Sequence, residues 1–220
     1  MAIYLKEFDT QAAYEAAQSG LILPNVSLIE ENNKVVYNQS QPTPIIDGHE
    51  YVDLGLTSGT LWATMNVGAN SVTDYGNYYQ FGKGADDYSV TSGVTDYEYE
   101  GTENPLAASA DTAVQVWGGR WHMPTRDQLE ELTANTTYEW TTIDGVNGGK
   151  FTAQNGNYVF FPANGHYNRW GSITTGNTGY YWSSYSAGSG SRCYLWCENG
   201  SRAYSYDYSY NGCAVRPVVG

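Results

Sequence analysis

The apolar residues of this chain come in short runs divided by glycine, asparagine and serine, a pattern that predicts a strand-rich domain with few helices. Near the start, Asp9 can cap a helix whose body, TQAAYEAAQS, is rich in good helix formers and stops at Gly20. VSLIEENNKVVYN follows, two short apolar runs around Glu31-Asn32-Asn33, and predicts a hairpin. QSQPTPIIDG then reads as a proline-rich linker. Residues 1–46 are expected to form an attachment or oligomerisation element, since so small a unit stands poorly alone. Residues 47–220 are expected to form the main domain.

In that domain YVDLGLTSGTLWATMNVGA predicts a strand, a glycine-containing turn and a second strand through Leu61, Trp62 and Ala63. A long polar stretch over residues 82–107 precedes WGGRWHMPTRDQLEELTANT. There Thr125 and Gln128 have the spacing of a capping box, and Leu129 and Leu132 share one helical face. NGNYVFFPA, GYYWSSY, CYLWCENG and CAVRPVV predict further strands. The fold class is therefore α+β, with its first and last strands at opposite ends of one domain that their pairing would close.

Composition narrows the function. Ten basic residues against 23 acidic ones give a net charge of −13, which repels phosphate backbones and anionic lipid. Neither nucleic-acid binding nor membrane insertion is expected, because no apolar run approaches the 18 residues of a membrane span. The opening residues lack a basic segment followed by an apolar core, so no signal peptide is expected. Three cysteines, Cys193, Cys197 and Cys213, are an odd number without a secretory context and read as free thiols.

One stretch stands apart. YSYDYSYNG, from Tyr204 to Gly212, alternates tyrosine with small polar residues and contains no aliphatic side chain. Tyrosine offers a large, rigid contact area with a hydrogen-bonding tip, and serine and asparagine offer adaptable polar contacts, the composition of antibody paratopes. The same palette recurs upstream, giving a candidate binding set of Tyr185, Ser186, Ser189, Ser191, Tyr194, Tyr204, Tyr206, Asp207, Tyr208, Ser209, Tyr210 and Asn211. A second patch after FFPANG adds His166, Tyr167, Asn168 and Arg169, beside Trp170. The competing reading is a structural row of tyrosines on one face of a strand, since residues two apart share a face. The lack of aliphatic residues to bury favours the binding surface.

Taken together, VDLGLTSGTLWATMNVGA, DYGNYYQFG, WGGRWHMPTRDQLEEL, FFPANG, GYYWSS and CAVRPV resemble the Fibrobacter succinogenes major paralogous domain over about residues 49–218. That resemblance implies a C-type lectin fold of the formylglycine-generating-enzyme-like subclass, with both candidate segments approaching one face. The C-terminal segment further resembles the variable region, about residues 164–217, of target proteins of diversity-generating retroelements. In that family adenine-directed mutagenesis turns AAY codons into NNY codons, and AYSYDYSYN (203–211) uses only residues such codons encode. Trp196 and Glu198 fall outside that set and read as fixed scaffold. The N-terminal element is similar to leaders on gut phage and prophage proteins.

The resemblance implies a ligand-binding protein that is not an enzyme. Its partner would be a cell-surface protein or glycan, and its location the virion, or the host cytoplasm before assembly, with homo-oligomers or attachment to a phage tail. The alternative is a fixed-sequence bacterial adhesion or glycan-binding module of the same domain family. No catalytic residue, cofactor or metal is expected. The formylglycine-generating branch uses a copper-binding cysteine pair, but Cys193 and Cys197 would stand about 13 Å apart along a strand, too far to share an ion. The Glu-Pro-Asn and Gln-Pro-Asp tripeptides of calcium-dependent lectins are absent, and Gly84-Ala85-Asp86-Asp87 reads as a solvated turn. Trp182 and Trp196 are expected in the core, His122 as a packed structural histidine, and Arg216 paired with a scaffold carboxylate.

Overall fold

The computed structural model describes residues 7–8, 26–31, 34–39, 43–86, 97–171, 173–188 and 190–220. The chain divides into two compact units, Met1–Thr43 and Pro44–Gly220. In the first, β1 (Glu7–Phe8), β2 (Val26–Glu31) and β3 (Lys34–Gln39) form an antiparallel sheet in the order β1-β3-β2. The register runs from Val26 opposite Gln39 to Glu31 opposite Lys34, so the expected hairpin is present. The helix expected after Asp9 lies outside the described residues.

The second unit begins inside the stretch read from sequence as linker. Ile45 and Ile46 form β4 (Ile45–Ile46), which pairs with β5 (His49–Asp53), and Ile46 is buried. The division therefore falls at Thr43 rather than after residue 46, because adding β4 to the sheet edge takes Ile46 out of water, though Ile45 stays exposed. β5 pairs with β6 (Leu61–Ala63), joining the strands expected on either side of the glycine turn.

β7 (Tyr79–Gln80), α1 (Thr112–Val116) and α2 (Arg126–Asn135) come next, followed by β8 (Thr137–Ile143), β9 (Val146–Thr152) and β10 (Tyr158–Pro162). The α2 capping box is present: Thr125 Oγ1 accepts from the Gln128 N–H at 3.2 Å and Gln128 Oε1 from the Thr125 N–H at 2.8 Å. The β8–β9 hairpin turns at Asp144-Gly145, both at positive φ, which suits the right-handed twist of the flanking strands. β11 (Thr178–Gly188), β12 (Ser191–Glu198) and β13 (Ser201–Tyr208) form an antiparallel sheet in that order. CAVRPVV is not one strand but parts of two, β14 (Gly212–Cys213) against β7 and β15 (Val218–Val219) against β6. The domain is thus closed by pairing its last strand with one of its first, Val218 opposite Trp62. It is an α+β domain, mainly β.

Residues 121–125 hold this arrangement together, each tied to a different element. Trp121 Nε1 donates to the Ile46 carbonyl at 3.0 Å, His122 exchanges backbone hydrogen bonds with Val218, and the Met123 N–H donates to the Asp111 carboxylate at 2.9 Å. The Pro124 carbonyl accepts from the Ser184 N–H at 2.7 Å, and Thr125 caps α2. The ring nitrogens of His122 lie 2.9 Å and 3.0 Å from the Met123 and Gly220 carbonyls, a packed structural position. Burial pushes the Asp111 carboxyl up, opposed by the hydrogen bonds it accepts from Met123 and Val114.

Arg216 differs from expectation. It is fully buried and meets no carboxylate among the described residues: Nε donates to Asn66 Oδ1 at 2.8 Å, Nη1 to the Ala63 and Thr64 carbonyls, and the guanidinium lies over the Phe161 ring. Neutral carbonyls and an aromatic face solvate the cation without burying a second charge. Burial pulls its pKa down to about 10, so it remains charged at neutral pH.

Candidate ligand-recognition surface

The candidate residues gather on and around the β11-β12-β13 sheet, which divides the core. Cross-strand partners share a face. Tyr181, Leu195 and Cys197 turn toward α2 and pack with its Leu129 and Leu132. Trp182 and the half-buried Tyr180 and Tyr194 turn the other way, toward the cluster of Tyr79, Phe81 and Val215. Trp182 is fully buried as expected, while Trp196, opposite Tyr180, is only half-buried.

On β13 the same alternation sorts the tyrosine-rich stretch. Tyr204 and Tyr206 lie opposite Leu195 and Cys193, on the helix face; Ser205 and Asp207 lie opposite Tyr194 and Arg192, on the other. The tyrosine-rich stretch is therefore divided between two faces, and the 166–169 segment meets it on the side of Asp207 and Tyr210. A strand with period two has to divide its side chains between the two sides.

The helix face is organised by a residue that sequence reasoning passed over. The guanidinium of Arg126 lies 5.1 Å from the Tyr204 ring centre and 5.7 Å from that of Tyr185, and its Nε donates to Glu130 Oε1 at 2.8 Å. The Arg126–Glu130 pair, four apart on a helix beginning at a capping box, was the signal that could have found it. Tyr206 projects beyond this cluster and is exposed.

The opposite face carries His166, whose ring lies 4.3 Å from that of Tyr180. Burial holds the imidazole below its ordinary pKa, and the Asp207 carboxylate works against that. Burial likewise raises Tyr194 to about 12, with a hydrogen bond from Ser205 opposing. At the tip of the sheet Tyr208 and Tyr210 stack with centres 5.0 Å apart, and Arg169 lies over Tyr210 at 5.3 Å and over the exposed Trp170 at 5.8 Å. Tyr167 is held by backbone bonds to Gly212 and an edge contact with Tyr78, and Asn168 Oδ1 accepts from the Trp170 N–H at 3.0 Å. Ser191 is half-buried opposite Tyr208.

Three candidates are not at the surface. Ser186, Ser209 and Asn211 are 3%, 1% and 6% exposed. Ser186 Oγ accepts from Arg192 Nη1 at 2.9 Å, and Ser209 Oγ accepts from the Tyr99 N–H at 2.9 Å. The Asn211 N–H closes the turn on the Tyr208 carbonyl at 3.1 Å. Small polar residues that satisfy buried backbone groups look the same in sequence as small polar residues that face water. Ser189 and Asp87 lie outside the described residues.

Every outward N–H of β11 from Tyr180 to Ser186 is taken. Asn164 holds the Tyr180 peptide from both sides, Oδ1 accepting its N–H at 2.9 Å and Nδ2 donating to its carbonyl at 3.3 Å. The Trp182 N–H donates to Ala214 and the Ser184 N–H to Pro124. Asn104 holds the Ser186 peptide as Asn164 holds Tyr180, at 2.6 Å and 2.7 Å. The loop bearing Asn104 is fixed by Arg192, buried over the Phe81 and Tyr99 rings with Nη2 on the Tyr99 carbonyl.

The three cysteines are free and buried. Burial pushes Cys197 up to about 12 and Cys213 well above its ordinary value, and raises Cys193 too, so none is readily a thiolate. Among the described residues no cluster of three histidine, cysteine or acidic side chains is placed to hold a metal, and no helix is long and apolar enough to cross a membrane. No protein-family model, curated protein or solved structure matches the chain.

Proposed function

We propose that this chain is a non-catalytic recognition protein with a C-type lectin fold, the variable protein of a diversity-generating retroelement, carried by a phage or prophage. One observation carries the reading. Trp182 of β11 and Leu195 and Cys197 of β12 are buried on the two faces of the sheet, while Tyr206 and Tyr208 of the neighbouring β13 and Trp170 of the 166–170 segment project into solvent. Such a separation lets contact residues change without disturbing the scaffold. The pairing of β15 with β6 supports the lectin-fold reading, since it brings the two ends of the domain together. The contact set is Tyr185, Ser191, Tyr194, Tyr204, Tyr206, Asp207, Tyr208, Tyr210 and the segment 166–169, and the ligand is a cell-surface protein or glycan of the host. Residues 1–43 serve attachment or oligomerisation, and several copies on one particle turn weak contacts into avidity.

Replacing Tyr204, Tyr206, Tyr208 and Tyr210 together by serine tests this. Binding to arrayed bacterial surface proteins and glycans is expected to disappear while unfolding stays cooperative. A collapse of the melting transition would show instead that the four rings are structural.

The burial of Ser186, Ser209 and Asn211 favours a second reading, a fixed-sequence adhesion module. Positions that hold the fold together are poor sites for diversification. The encoding locus separates the two: a nearby repeat matching codons 164–217, with adenines wherever the gene differs, beside a reverse transcriptase gene, selects the diversified binder.

A further inference from the structure

β13 is the outermost strand of its sheet, with β12 on one side and, among the described residues, no strand on the other. The two-residue turn at Asn199-Gly200 closes on the pair Glu198 and Ser201. Alternation from that pair turns the N–H and C=O groups of Ser201, Ala203, Ser205 and Asp207 toward β12. Those of Arg202, Tyr204, Tyr206 and Tyr208 turn outward. Tyr208 uses both of its groups locally, donating to Asp207 Oδ1 and accepting from the Asn211 N–H. For Arg202, Tyr204 and Tyr206 no partner for these groups is found among the described residues. The edge thus presents three successive donor–acceptor pairs roughly 7 Å apart, the repeat of an extended peptide.

Several of the devices that blunt such an edge are missing, although Arg202 and Asp207 put charge on the strand. SRAYSYDY holds no proline and no lysine, and its register against β12 runs without a bulge. Beside it α2 and β13 enclose a groove of about 470 Å³ lined by Glu130, Thr133, Ala134, Arg202, Ala203 and Tyr204. A strand added here would drop alternate side chains into that groove and pass the others beside Ser205 and Asp207.

We propose that the free edge of β13 is a strand-addition site for an extended polypeptide segment bearing basic side chains, supplied by a partner protein. This rests on reading the sheet as a recognition surface and makes its ligand a polypeptide. The matching groups are backbone groups, which a glycan does not carry at this spacing. Charge selects the partner. The chain carries a net charge of −13, and Asp207 lies on one side of the edge; on the other, Glu130 is paired with Arg126 and Arg202 donates to the Thr133 carbonyl, so the attraction is that of the whole chain. A basic segment is attracted, whereas a second copy is another chain of charge −13 and is repelled.

The test uses the full chain and a nine-residue peptide alternating lysine and valine, beside the same peptide N-methylated throughout. The first is expected to bind and to slow hydrogen exchange at the Tyr204 and Tyr206 amides. The second keeps the charge but loses the donors, and should bind at least tenfold more weakly. Tyr206→Pro removes an outward N–H without touching a bond to β12 and should weaken binding similarly, whereas Tyr206→Phe should not. Equal binding of the two peptides overturns strand addition, and would leave the recognition surface standing if the tyrosine-to-serine variant still loses its ligand. Absence of peptide binding at millimolar concentration also overturns it. Sedimentation showing a dimer that Tyr206→Pro separates would assign the edge to a second copy and overturn the partner assignment.

Discussion

The two edges of the β11-β12-β13 sheet are built from the same residue types and end in opposite states. Along β11 the outward peptides of Tyr180, Trp182, Ser184 and Ser186 are met by Asn164, Ala214, Pro124 and Asn104. Along β13 the outward peptides of Arg202, Tyr204 and Tyr206 meet none of the described residues. TGYYWSSYSAG and SRAYSYDY are both tyrosine- and serine-rich, so composition does not decide which becomes interior. What decides is whether the rest of the chain supplies backbone partners to that edge. Asparagine serves twice on the closed side because its amide reproduces the donor and acceptor of a peptide.

The sharpest way to break the comparison is to damage the closed side. Trp182 is fully buried, donates from Nε1 to the Tyr79 carbonyl at 2.8 Å and meets the Phe81 ring edge-on. Trp182→Ala is expected to cost about 3–5 kcal/mol, by analogy with other large aromatic truncations in cores. Urea denaturation measures it. A loss below about 1 kcal/mol would mean that β11 is no more interior than β13.

A smaller change makes part of the closed edge open. Asn104→Ala removes both hydrogen bonds to the buried Ser186 peptide and leaves its N–H and carbonyl unsatisfied. The expected cost is about 1–3 kcal/mol, the desolvation penalty of a buried polar group without a partner. Hydrogen exchange at Ser186 should then approach that of Tyr204 and Tyr206. Unchanged protection at Ser186 would show that the asparagine is not what closes the edge.

Much of this was legible in sequence, and the reasons differ by element. The α2 cap and its buried Leu129 and Leu132 follow from local spacing, and so does the hairpin of β2 and β3. The Asp144-Gly145 turn between β8 and β9 was equally local and went unused. The tyrosine-rich stretch could be singled out, but not divided between two faces, because that depends on its register against β12. Nor could Ser186, Ser209 and Asn211 be separated from exposed neighbours. Their partners, Asn104, Tyr99 and Tyr208, are mostly distant in sequence. Arg216 illustrates the same limit, since a buried cation solvated by carbonyls leaves no acidic partner to look for.

The smallest expected effect comes from where the two strands share a face. His166 rests on Tyr180 of β11, and the carboxylate of Asp207 on β13 acts on it. Burial lowers its pKa more than that carboxylate raises it, so the folded protein binds the imidazole proton more weakly than the unfolded chain does. Protonation therefore draws the equilibrium toward unfolding. The stability tied to neutral His166 is fully present above the ordinary histidine pKa of about 6.5 and is lost as the pH falls below it. The wild-type chain should lose more stability between neutral pH and mild acid than His166→Gln does, by roughly 1 kcal/mol or less. Asp207→Asn removes the opposing charge and should enlarge the loss. If that substitution leaves the pH profile unchanged, Asp207 does not reach across to β11 and the two strands act on this face independently.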